Sequence, residues 1–159
     1  MRRTGLFVAG IIVGVLLRSA LAEEHGITGL NHVAIAVDDF AAATTFYTQV
    51  MGFPEAFSFS DGNGSVLAYF QVSRDTFIEL MPVTPDRPAG FVHYGLQVAD
   101  VDFEASRLRA AGLKVDGPAV SARTKAKGAS TTTPQGTRIE LFEFGPESLQ
   151  RKAMDSWKK

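Results

Sequence analysis

The chain has 159 residues, with 16 basic and 17 acidic side chains and no cysteine. Balanced charge argues against a nucleic-acid or anionic-membrane binder. The missing thiols exclude disulfides, thiolate metal sites and cysteine nucleophiles. This length supports one domain, or two small halves sharing a core.

Residues 1–22, MRRTGLFVAGIIVGVLLRSALA, set Arg2 and Arg3 before an apolar run and end on Ala20-Leu21-Ala22. That is the three-part pattern of a secretory signal peptide. The run from Gly5 to Leu17 holds 13 residues, short of the roughly 20 that span a bilayer. Cleavage after Ala22 would leave 137 residues, with 13 basic against 17 acidic groups. The product would be secreted or periplasmic, without stable membrane association. Arg18, between the run and the cut, keeps an uncleaved N-terminal anchor as the alternative. His25 reads as a tail residue just past the cut.

The first strand, NHVAIAV at 31–37, puts Val33, Ile35 and Val37 on one face and His32, Ala34 and Ala36 on the other. Asp39 can cap a helix with Phe40, Ala43, Phe46, Tyr47, Val50 and Met51 near a 3.6-residue period, closed by Gly52. EAFSFS, a turn DGNG at 61–64, VLAYFQV and TFIELMPV read as three more strands, and TPDRPAG at 84–90 as a linker.

The plan then repeats. GFVHYGLQV reads as a strand, Asp100 can cap a helix ended by Gly112, and PAVSARTK, GASTTT and TRIELFEF read as strands. The offset is 61: Gly29 falls on Gly90, His32 on His93, Asp39 on Asp100 and Glu79 on Glu140. A repeated βαβββ unit leaves one apolar sheet face needing a partner. A pseudo-twofold would bring His32, Glu79, His93 and Glu140 around one axis. Glu79 and Glu140 each sit between apolar neighbours, where a carboxylate is costly unless something positive meets it. Two imidazoles and two carboxylates suit one divalent ion of the Zn, Ni, Co, Mn or Fe(II) kind. The small neighbours Ala34, Ala36 and Gly95 suggest space for a ligand above it. The plainer reading of Glu140 is an ion pair with Arg138, two positions away on the same face. Arg123, Lys125 and Lys127 read as a solvated hairpin in preference to an anion-greeting loop. Residues 146–159, with Leu149, Met154 and Trp157, read as a terminal packing helix.

Through NHVAIAV…FYTQVMGF, FIELM, VHYGLQV and PQGTRIELFEF, residues 27–145 resemble the vicinal oxygen chelate superfamily. That superfamily includes glyoxalase I, methylmalonyl-CoA epimerase, extradiol dioxygenases and bleomycin-resistance proteins. The resemblance implies an α+β fold of two tandem βαβββ modules, 27–83 and 90–145, forming an open barrel-like cup around one metal. Its ligand positions fall on His32, Glu79, His93 and Glu140, with Glu where the epimerase has Gln. The full set is most like glyoxalase I, which implies a lyase or isomerase working through a metal-stabilised enediolate on a small-molecule substrate. Glu140 is then the first candidate base and Glu79 the second. Ring-cleaving Fe(II) dioxygenases use only the positions of His32, His93 and Glu140, and bleomycin-binding members have lost the ligands, so a dioxygenase and a non-catalytic binder are the alternatives. Glyoxalase I typically has a glutathione-contacting arginine and asparagine where this chain has Ala36 and Val83. Family members build the cup within one chain or between two swapped chains, which leaves a homodimer open.

Overall fold

A computed structural model describes residues 26–60 and 65–158. The leader at 1–22, His25 and the turn at 61–64 lie outside the described residues. In chain order the elements are β1 (Ile27–Val37), α1 (Phe40–Thr45), β2 (Glu55–Ser60), β3 (Ser65–Ser73), β4 (Thr76–Pro82), β5 (Gly90–Val98), α2 (Val101–Ala110), β6 (Asp116–Val120), β7 (Lys127–Thr132), β8 (Arg138–Glu143) and α3 (Leu149–Ser156). This is two βαβββ units and a tail helix. The eight strands form one unclosed mixed sheet in the order β2-β3-β4-β1-β5-β8-β7-β6. β1 lies parallel to β4 and antiparallel to β5, and β5 lies parallel to β8. The two units therefore join through their first strands within one chain.

Both expected caps form. Asp39 Oδ1 accepts from the Ala42 N–H at 2.8 Å, and Asp100 Oδ1 from the Phe103 N–H at 2.9 Å. Both helical segments end at a glycine with positive φ, Gly52 and Gly112, a conformation that L side chains resist. The first helix departs from the regular period, continuing past Thr45 as a single π turn over Phe46–Val50. The wider turn keeps Tyr47 stacked on Phe53 and Phe70. Strand β6 also ends earlier than PAVSARTK suggests: 121–126 form a loop whose Thr124 carbonyl accepts from the Leu149 N–H at the start of α3.

Each module covers its outer sheet face with its own helix. Phe40 and Ala43 pack with Ile35 and Val37 over Phe70 and Leu80, while Val101 and Ala105 pack over Ala129 and Leu141. The inner faces differ. Met154 and Ala153 of α3 pack against Tyr69 and Phe77 of module 1, and Gln71 Nε2 donates to the Ala153 carbonyl at 3.3 Å. At the positions 61 residues on from Leu67, Tyr69 and Phe77, module 2 carries Gly128, Ser130 and Arg138. The tail thus packs on the inner face of module 1 and on Ala126 and Phe144 of module 2, while the groove over β6, β7 and β8 stays open.

Candidate metal centre

Strand register explains how four residues from two modules converge. One row across the sheet runs Glu79, Ala34, His93 and Arg138; the next runs Phe77, His32, Gly95 and Glu140. Within each row a histidine and a glutamate flank a residue with little or no side chain, so both can lean over it. Gly95 is indispensable to this. A Cβ there would lie 2.0 Å from His32 Cε1. The space expected for a ligand above Gly95 is therefore filled by the His32 ring, and Ala34 and Ala36 are fully packed.

The side chains meet at their tips. His32 Nε2 and His93 Nε2 are 3.2 Å apart. Glu79 Oε2 lies 3.4 Å from the first and 3.2 Å from the second; Glu140 Oε2 lies 3.7 and 3.4 Å from the same atoms. Donors about 2.0–2.2 Å from a common ion are about 3.0–3.6 Å from one another at angles between 90° and 110°. Four of the five separations fall in that range, and the fifth, His32 Nε2 to Glu140 Oε2 at 3.7 Å, lies just beyond it. Among the described residues, His32, His93 and Glu140 form a set whose ligand atoms all lie within 4.8 Å of one another. Glu79 Oε2 is buried and makes no well-aligned hydrogen bond among the described residues. A lone buried carboxylate oxygen beside two imidazole nitrogens is the arrangement a cation would stabilise. The donor set fits a borderline divalent ion.

Neighbours orient the donors. Asn31, fully buried, donates through Nδ2 to the Asp75 carbonyl and presents Oδ1 to His32 Nδ1 at 3.0 Å. That contact holds the proton on Nδ1 and leaves Nε2 free to ligate. Arg138 donates to Glu140 Oε1 from Nε at 3.2 Å and Nη2 at 2.9 Å. The plain ion pair is therefore real, yet it uses only Oε1 and leaves Oε2 for the imidazoles. In the metal-free chain, burial pulls the His93 proton affinity down, but the Glu140 and Glu79 carboxylates outweigh it and raise its pKa to about 9. Glu140, despite burial, is held well below the usual carboxylate range by His32 and His93. Tyr69, opposite Glu79 across β3 and β4, is raised well above its ordinary value by burial, then by the charges of Glu79 and Glu140.

Two cavities flank the centre. An inner one of about 150 Å³ is bordered by Glu79, Glu140, Tyr69, Phe142, Arg123 and, from α3, Gln150. A more open groove of about 280 Å³ runs over β6, β7 and β8 and shares Glu140, Phe142 and Ser121 with it. The three basic residues of the β6–β7 loop separate: Lys127 pairs with Asp102 and Arg123 faces the inner cavity. Sequence patterning missed Asn31, Tyr69 and Gln150. Of these, Asn31 and Tyr69 lie in stretches read as strands of the repeat, NHVAIAV and VLAYFQV, and Gln150 lies in the tail outside it.

Residues 29–141 match the model of the Glyoxalase/Bleomycin resistance protein/Dioxygenase superfamily. An uncharacterized protein of Escherichia coli (strain K12), YaeR, is 25% identical over 126 residues, 74% of this chain and 98% of its own. Methylmalonyl-CoA epimerase from Mycobacterium tuberculosis shares the fold with a TM-score of 0.64 at 24% identity, over 76% of this chain and 91% of that one. Streptomyces coelicolor methylmalonyl-CoA epimerase, in complex with 2-nitronate-propionyl-CoA, gives 0.62 at 22% identity, over 77% and 99%.

Proposed function

The chain belongs to the Glyoxalase/Bleomycin resistance protein/Dioxygenase superfamily, and on that premise we propose that it is a divalent-metal-dependent lyase or isomerase of the glyoxalase I type. The reading is carried by one observation: carboxylates from opposite modules, Glu79 Oε2 and Glu140 Oε2, each lie within 3.7 Å of both imidazoles. His32, Glu79, His93 and Glu140 would hold the ion. A bound divalent ion polarises the carbonyl of a substrate with two vicinal oxygens and stabilises the negative charge that develops when the neighbouring C–H is lost.

Glu140 takes that proton. It borders both cavities, and Arg138 holds Oε1 while Oε2 faces the imidazoles, so Oε2 would have to loosen from the ion to act as base. Glu79, its pseudo-twofold mate and the neighbour of Tyr69 across β3 and β4, would return a proton from the other side after taking one from solvent, while Glu140 gives its proton up to solvent. Asn31 keeps the His32 ring in place throughout. Proton movement of this kind needs no redox change.

His93→Ala tests the centre: metal content by elemental analysis should fall sharply while the β-rich circular dichroism persists, and unchanged metal content would sink the site. Deuterium exchange from solvent into 2-hydroxycarbonyl compounds tests the proton transfer. One observation favours a second reading: His32, His93 and Glu140 by themselves form a two-histidine, one-carboxylate set, the donor set of non-haem Fe(II) oxygenases. Oxygen uptake with catechols by anaerobically Fe(II)-loaded protein would select it. A protein that binds such compounds with neither activity is a sequestering module.

We also propose export through residues 1–22. Among the described residues no helix is long and apolar enough to cross a membrane. Intact-mass analysis of exported protein should begin at Glu23; residues 1–22 retained in the membrane fraction would favour the anchor.

A further inference from the structure

The inner cavity holds a polar atom with no assigned work. Gln150 is 1% exposed, and its Oε1 has no hydrogen-bond partner among the described residues. Tyr69 stands beside Glu79 and the Gln150 side chain, and of the Gln150 amide Oε1 is the atom without a partner among the described residues. Gln150 borders the inner cavity, and its buried Oε1 lacks a donor among them. The helix that carries it is pinned at its start by Leu149 N–H to the Thr124 carbonyl and at its middle by Gln71 to the Ala153 carbonyl. Met154, 1% exposed, anchors it from below. Arg123 stands at the mouth, its guanidinium carbon 5.9 Å from the Phe59 ring centroid, a contact that orients the planar group.

Resting on the metal-dependent reading above, we propose that Gln150 and Arg123 fit this cup to a compact 2-hydroxycarbonyl compound bearing one carboxylate. Gln150 Oε1 accepts from the substrate hydroxyl, and Arg123 pairs with the carboxylate. Charge agrees in sign: two glutamates cancel a divalent ion, neutral imidazoles add nothing, and Arg138 on Glu140 with Arg123 beside the cavity leave the cup cationic, which favours an anion. Size agrees as well. A cavity of about 150 Å³ accepts a molecule of benzene size, about six heavy atoms, whereas drug-sized ligands occupy roughly 300 Å³ or more. A thiol adduct would have to leave its tail in the open groove over β6, β7 and β8.

The test uses the full chain loaded with Co(II), reading ligand binding from the visible d–d bands and by calorimetry. The probes are hydroxypyruvate, dihydroxyacetone (the same skeleton without the carboxylate), pyruvate (without the hydroxyl) and S-lactoylglutathione. Hydroxypyruvate should bind roughly tenfold or more tightly than either small analogue, the size expected for one hydrogen bond to a charged group. Arg123→Ala should erase its preference over dihydroxyacetone, and Gln150→Leu its preference over pyruvate. Arg123 is exposed, so the first variant reports even if the second fails to fold. Equal affinity for hydroxypyruvate and dihydroxyacetone in the unaltered protein, or tighter binding of S-lactoylglutathione, overturns the proposal. Failure to bind Co(II) at all overturns the metal reading and this inference together; Co(II) binding without the preference overturns this inference alone.

Discussion

Gly95→Ala is the sharpest probe of how the candidate metal centre is built, because the atoms nearest the new methyl group all belong to one of its residues. The added Cβ would lie 2.0 Å from His32 Cε1, 2.4 Å from Nδ1 and 2.7 Å from Nε2. Ordinary carbon contacts are about 3.5 Å or longer, so the ring must move by more than about 1 Å. It has nowhere to go without cost, being fully buried between Tyr69, Phe142 and His93 and tied to Asn31. Overpacking of this kind costs about 1–3 kcal/mol. A metal tolerates donor displacements of only about 0.2 Å, so His32 should be lost as a ligand. We expect metal affinity to fall at least about 100-fold, taking the lost donor as worth about 3 kcal/mol or more. The urea midpoint should shift by an amount matching the overpacking cost. Gly29→Ala, at a position where a Cβ meets nothing within 4 Å, is the control and should change neither quantity. Competition titration with a chromophoric chelator measures the affinity. Native metal affinity in Gly95→Ala would refute His32 as a ligand.

His93 in the metal-free protein has its pKa raised to about 9, so below that pH a metal must displace a proton. Affinity should rise about tenfold per pH unit and level off above about pH 9, and a flat profile by calorimetry would contradict it. The same raised value means that the imidazolium stabilises the metal-free fold fully below its ordinary value of 6.5, and that this contribution disappears as pH rises through about 9. Urea unfolding of metal-free protein across that window should follow this sign. Glu140→Gln and Glu79→Gln should each slow solvent deuterium exchange about 10²–10⁴-fold, and an undiminished rate in either would remove that residue from the proton path. Met154→Ala should cost about 2–5 kcal/mol in chemical denaturation; a loss below about 0.5 kcal/mol would mean that α3 does not cap the cup in solution.

The 61-residue repeat was readable because strands write burial into alternation and helices into a 3.6-residue period. A polar residue out of place in such a pattern shows twice when the pattern is repeated. His32, Glu79, His93 and Glu140 appear in this way, and so do the capping aspartates and most strand bounds. Register alone then brings the four together, since rows across β4, β1, β5 and β8 follow from pairing the two first strands. The rest depends on contacts between distant segments. Gly95 reads as open space until the ring opposite it is seen to fill that space. The pairing of Glu140 with both Arg138 and the imidazoles takes two oxygens pointing in different directions, which no spacing reveals. Gln150 lies in a tail outside the repeat, so it has no equivalent to mark it. It becomes part of the cup only because Met154 and Ala153 find the apolar face of Tyr69 and Phe77 that module 1 leaves uncovered. The repeated, locally encoded half of this protein was determined by the order of its residues. The asymmetry that closes one side of the cup was decided by tertiary packing, where burial of apolar surface selects which end of the chain docks and where.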